Sequence, residues 1–150
     1  MRISLKATYG IMAAMGLALQ NGTAPVQSKS IAHRQAIPVR FLEQVLHAMK
    51  KAGLVDSLRG AQGGYVLGKP ASDLSLAEIV QALDGPFTLP KQSRAASRRP
   101  HERLKFESIL SPVWEKLRQA ELDVLSGVSL QDLIEHYHEL EQTRALMYHI

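Results

Sequence analysis

The 150 residues contain no cysteine. That absence removes disulfides, thiolate-ligated metals and thiol nucleophiles at once. No apolar run approaches the roughly eighteen residues that a membrane-spanning helix needs. The N-terminus lacks the apolar core and cleavage pattern of a secretion signal, so a cytoplasmic protein is expected. No glycine loop is long enough to cradle a phosphate, and no serine lies beside a base motif, so no catalytic set emerges and an enzyme is not expected. The length suits one ordinary domain, or a small domain with an appended element.

Charge is present and unevenly spread. The net value is +4, yet residues 1–70 carry nine Lys/Arg against only Glu43 and Asp56. Residues 71–90 hold only acids (Asp73, Glu78, Asp84), residues 91–105 set six basic residues against Glu102, and the remainder is acidic. A basic front, a basic connector and an acidic tail suggest one part that faces a polyanion and another with a different role.

Hydropathy patterning supplies the elements. Leu5, Ile11, Ala14, Met15, Ala18 and Leu19 recur at helical spacing before Asn21-Gly22 stops the pattern. Ser28 is the expected N-cap of a short second helix ending near Ala36, because the residue before Pro38 is biased out of the helical region. Pro38 suits the first position of a third helix, whose stripe is Phe41, Leu42, Val45, Leu46 and Met49 and which Gly53 closes. Apolar pairs flank "RGAQGGY" (59–65), so the glycines read as the turn of a β-hairpin.

Helix, short helix, tight turn, helix and hairpin is the order of a winged helix-turn-helix. In that arrangement the second helix of the pair enters the major groove, and the wing tip, here Arg59 with Gly60, Gly63 and Gly64, reaches the flanking minor groove. Further on, "SLAE" (75–78) is a capping box and Gly85-Pro86 ends its helix. Residues 86–105 are expected to form a flexible basic loop. From 106 the pattern returns, with Leu110, Val113, Trp114, Leu117, Val124 and Leu125 on a long apolar face; Pro112 is expected to open or bend that helix. "SLQD" (129–132) starts a last helix. The expected architecture is mainly α with a small β-hairpin. Its parts are a DNA-binding domain over 1–85, the loop over 86–105, and a dimerisation helix with a C-terminal helix over 106–150.

Several long segments, "MRISLKATYGIMAAMGLAL", "FLEQVLHAMKKAGLV", "SLRGAQGGYVL", "LSLAEIVQALDGP" and "VWEKL", resemble in order the Rrf2 family of winged-helix transcription regulators, over roughly residues 1–127. The resemblance implies a bacterial regulator, a repressor in this reading, that binds double-stranded operator DNA as a homodimer paired through the long helix. It also implies phosphate contacts from Arg2, Lys6 and Tyr9, a backbone contact from Lys29, and base contacts from Arg40, Glu43 and Gln44. Those side chains suit base reading, since glutamate accepts from cytosine N4, glutamine pairs with adenine, and arginine forks onto guanine. Arg40 falls where some relatives carry a small hydroxyl residue, so their operator sequence does not transfer.

Cluster-binding members of the family carry three cysteines before the long helix, the last followed in some by a histidine ligand three residues on. Ser108 and Ser111 occupy those two positions here, and serine is a poor iron ligand, so no iron–sulfur cofactor is expected. His101, His136, His138 and His149, with Glu102 and Glu135, are the remaining candidate ligands. His136 and His138 are two apart on a helix and point to different faces, so surface histidines and no metal site are expected. Two other readings stay open. One is a protein-interaction module that keeps the fold without binding DNA, and the other is a metal- or effector-sensing module.

Overall fold

A computed structural model describes residues 3–20, 24–88 and 100–148, with side chains from residue 105 onward in the last segment. Arg2, His149 and most of the basic loop lie outside the described residues, as do the side chains of His101 and Glu102. The first helix, α1 (Leu5–Ala18), opens on Ser4, whose hydroxyl accepts from the Ala7 N–H. Its buried face is Ala7, Gly10, Ala13, Ala14 and Leu17. Of the expected stripe Ala14 is fully buried and Ile11, Met15 and Ala18 pack partly buried against the core, while Leu5 stays 60% exposed.

Helix α2 (Ser28–Gln35) is capped by Gln27 rather than Ser28, and α3 (Val39–Lys51) by Pro38, one position earlier in its role than expected. Ala36 takes a left-handed conformation (φ 52°) to make the turn between them. The Gln35 side-chain amide donates to the Met12 carbonyl (2.6 Å) and ties α2 to α1. Leu42, Val45, Leu46 and Met49 of α3 are buried as expected from their spacing.

Strands β1 (Val55–Leu58) and β2 (Gly64–Leu67) form the antiparallel hairpin, with Val55 opposite Leu67 and Leu58 opposite Gly64. A bridge between Val26 and Tyr65 adds a third short stretch to its outer side. After a 3-10 turn (Ala71–Asp73), α4 (Leu76–Asp84) carries the expected capping box between Ser75 and Glu78. Lys69 pairs with Glu78, and this hydrogen bond, more than any other influence, holds that carboxyl below its ordinary range.

Helix α5 runs from Pro100 to Ser126, so it begins inside the segment expected to be loop. It also passes through Pro112, so this proline does not open the helix, one of the two outcomes expected of it. Ser108 and Pro112 are both exposed, so water can take up the carbonyl that loses its helical donor. The last helix, α6 (Leu130–Tyr148), starts at the expected place, where Ser129 and Asp132 cap each other. Backbone hydrogen bonds from Leu130 N to Leu74 O (2.7 Å) and from Leu76 N to Val128 O (3.0 Å) bind this junction to the start of α4. Leu130 is fully buried in the same core as α1, α3 and α4, so the start of α6 shares a core with the segment 1–85.

Candidate nucleic-acid interface

Helical geometry sorts the residues of α3 into two faces. The leucine, valine and methionine stripe is buried, which leaves Arg40, Glu43, Gln44, His47 and Lys50 exposed on the other side. All three expected base-reading residues therefore share one face, together with His47, which sequence reasoning passed over. Its signal was legible, since position 47 lies three and four residues beyond Gln44 and Glu43. Lys29 is exposed on α2.

The support beneath this face is specific. Tyr9 of α1 meets Phe41 of α3 edge to face, with ring centroids 5.5 Å apart and planes at 81°. Tyr9 and Lys6 are both half-buried, so Tyr9 is a packing residue as well as a candidate phosphate contact. At the far end of α3, the Lys50 ammonium donates to the Ser57 hydroxyl of β1 and joins the recognition helix to the wing.

The wing tip puts Arg59 at the exit of β1, exposed, with Gly60 at φ 114° in open space. Packing accounts for Gly63 and Gly64. A Cβ at Gly63 would collide with the Leu58 carbonyl that closes the turn, and one at Gly64 would lie 2.5 Å from the Val26 carbonyl oxygen. Among the described residues, no hydrogen bond or ion pair engages the side chains of Lys29, Arg40, Glu43, Gln44 or Arg59. Side chains left without a hydrogen bond or ion pair among the described residues are available to a ligand.

Two helices set across a left-handed turn, the second exposing a polar face beside a hairpin wing, define a winged helix-turn-helix DNA-binding protein. Comparison with known proteins makes the assignment particular. Residues 3–136 match the family described as Rrf2, iron-dependent transcriptional regulator, and the chain belongs to it. The HTH-type transcriptional regulator CymR of Bacillus subtilis is 34% identical over 149 residues, covering 99% of each chain. IscR of Photorhabdus laumondii is 31% identical over 141 residues, covering 94% of this chain and 84% of that one. The solved structure of the B. subtilis CymR, titled the global cysteine regulator of that organism, superposes with a TM-score of 0.73 at 32% identity, covering 91% of this chain and 98% of that one. The chain is thus a DNA-binding transcription regulator of the Rrf2 family.

The family description invokes iron, and the donor set here does not fit an iron–sulfur cluster. There is no cysteine in the sequence, and Ser108 and Ser111 are exposed on α5. Among the described residues no three His, Asp or Glu side chains gather as a metal site. His136 Nδ1 lies 3.5 Å from Glu139 Oε2, with both side chains mostly in solvent. Among the described residues, no helix is long and apolar enough to cross a membrane.

Proposed function

We propose that the chain is a cytoplasmic, sequence-specific repressor that binds a two-fold operator as a homodimer. In this reading Arg40, Glu43 and Gln44 meet base edges, and Lys6, Tyr9 and Lys29 meet the backbone. Arg2, which lies outside the described residues, is assigned to the backbone with them, and Arg59 enters the minor groove. The observation that carries the reading is the uncommitted polar face of α3, flanked by cations on α2 and the wing. Dimerisation is supported by α5, whose Leu110, Val113, Trp114, Leu117 and Val124 are between 40% and 66% exposed in the single chain; Leu125 beside them is half-buried. So long an apolar face is more than a monomer ordinarily leaves in water. Pairing through it presents two recognition helices to half-sites about one helical turn apart.

The test is DNA binding to genomic fragments as salt is raised, with footprinting of the tightest fragment. The logarithm of affinity is expected to fall by about 0.9 per phosphate neutralised for each unit of log salt. A symmetric footprint and its loss in Leu117→Glu, monomeric by sedimentation, support the reading. Absence of salt-dependent binding overturns it in favour of an interaction module.

A further inference from the structure

The side chains of α3 opposite its buried stripe form a row. At about 100° per residue, Leu42, Val45, Leu46 and Met49 centre on one side of the helix, and the opposite side is centred on Arg40, Gln44, His47 and Lys51. All four are exposed. Glu43 and Lys50 stand together on one flank of this row, the flank on which the Lys50 ammonium donates to Ser57 of the wing. Among the described residues, no hydrogen bond, ion pair or ring contact engages His47.

Resting on the reading of α3 as the recognition helix, we propose that His47 reads a base edge in the major groove, its imidazole N–H donating to the N7 acceptor of a purine beside the base that Gln44 meets. Side-chain length along the row supports this. A straight helix laid in a groove that winds round a convex duplex comes nearest the bases at the middle of its contact and diverges at both ends. The long side chains, Arg40 and Lys51, stand at the two ends of the row, about 16 Å apart along the axis, and the shorter Gln44 and His47 lie between them.

Base contacts in helix-turn-helix proteins come chiefly from the N-terminal residues of the recognition helix. Here the other end is tied down as well, because Lys50 joins it to the wing whose tip carries Arg59. The helix therefore does not rise out of the groove beyond its first turn, and His47, about 10 Å past Arg40, stays at the level of the bases. Lys51, one turn further on with a longer reach and a fixed charge, is the residue of this end suited to a phosphate. Purine follows from the chemistry of the ring. An imidazole offers an N–H donor in every protonation state, and N7 is the acceptor that adenine and guanine share in the major groove, whereas cytosine presents a donor there and thymine shields its O4 with a methyl group.

The probe is the operator footprinted with the full chain, remade with 7-deazapurines, in which a C–H replaces N7, one position at a time. The parent is expected to lose about three- to tenfold in affinity at one purine of each half-site, the scale of one hydrogen bond. His47→Ala is expected to bind the intact operator more weakly by the same factor and to be indifferent to that replacement, while Arg40→Ala keeps the penalty there. Its melting temperature is expected to match the parent's, since the side chain is exposed. If His47→Ala instead weakens every operator variant alike and lowers the dependence of affinity on salt, the residue meets a phosphate and base reading is overturned. Equal affinities of parent and variant throughout overturn any contact from His47. Both of these results leave the repressor reading standing; that reading falls, and this one with it, only if the parent shows no salt-dependent binding.

Discussion

Arg59 stands at the tip of the wing with no partner among the described residues, so its removal costs the fold nothing that the structure shows. Arg59→Ala is expected to weaken binding to a footprinted operator by about 1–3 kcal/mol per half-site, the scale of one lost base contact. The melting temperature is expected to stay where it was. Gly64 behaves in the opposite way. Any side chain there meets the Val26 carbonyl at 2.5 Å, where the extra short stretch pairs with β2. Gly64→Ala is expected to destabilise the protein by about 1–3 kcal/mol through overpacking, measured as a lower urea midpoint with an unchanged slope. The pair of variants separates a residue that serves DNA from one that serves the hairpin, a distinction that "RGAQGGY" as a string does not make.

At the scale of elements, α4 and α6 begin with the same device: a serine hydroxyl accepts a backbone N–H three residues on, and a carboxylate there accepts from the serine N–H. Both carboxylates are held below their ordinary range, Glu78 first by Lys69 and Asp132 first by the Ser129 backbone N–H. A group whose pKa is depressed on folding contributes stability above its unfolded value, and that contribution is lost as pH falls through the folded one. Stability is therefore expected to be level near neutrality and to fall from about pH 4.3 downward, the ordinary glutamate value. Ser75→Ala is expected to cost about 1 kcal/mol at neutral pH, the usual worth of an N-cap. Its deficit should narrow in strong acid, once the pH has fallen through the depressed pKa of Glu78 and the parent has lost the carboxylate half of the same box. Urea melts of parent and variant at neutral and acid pH check both statements.

For the whole molecule the missing cysteines govern behaviour. Anaerobically prepared protein is expected to be colourless, to carry no stoichiometric iron or sulfide, and to bind its operator equally before and after exposure to oxygen or nitric oxide. The reason is chemical: neither copy in a dimer has a thiolate, so assembly cannot create a soft-ligand site. Visible absorbance spectra, iron analysis and paired binding titrations check this, and redox-dependent affinity would contradict it. The serines at 108 and 111 lie on an exposed helix, and the core that supports DNA recognition does not depend on them.

The sequence by itself determined the order of elements, the buried stripe of α3, the two capping boxes and the absence of thiol chemistry. Each of these is local, set by spacing within a turn or two of helix or by composition alone. Arg40, Glu43 and Gln44 came from the family resemblance, and the outward face that the stripe leaves on α3 holds them together; His47 was legible on the same face by spacing. Only the tertiary structure decided the rest. On α1 the fully buried face is mostly small residues (Ala7, Gly10, Ala13, Ala14) with Leu17, while Ile11 and Met15 are only partly buried, because the distance to the neighbouring helices is a property of the packed core. Pro112 stayed within α5 because the surface around it is exposed, a fact that no helix propensity contains. Leu130 entered the core through backbone pairing with Leu74, some 56 residues earlier in the chain. An apolar groove between Ile3 and α5 likewise exists only once segments more than a hundred residues apart are brought together, and periodicity along the chain carries no record of that meeting.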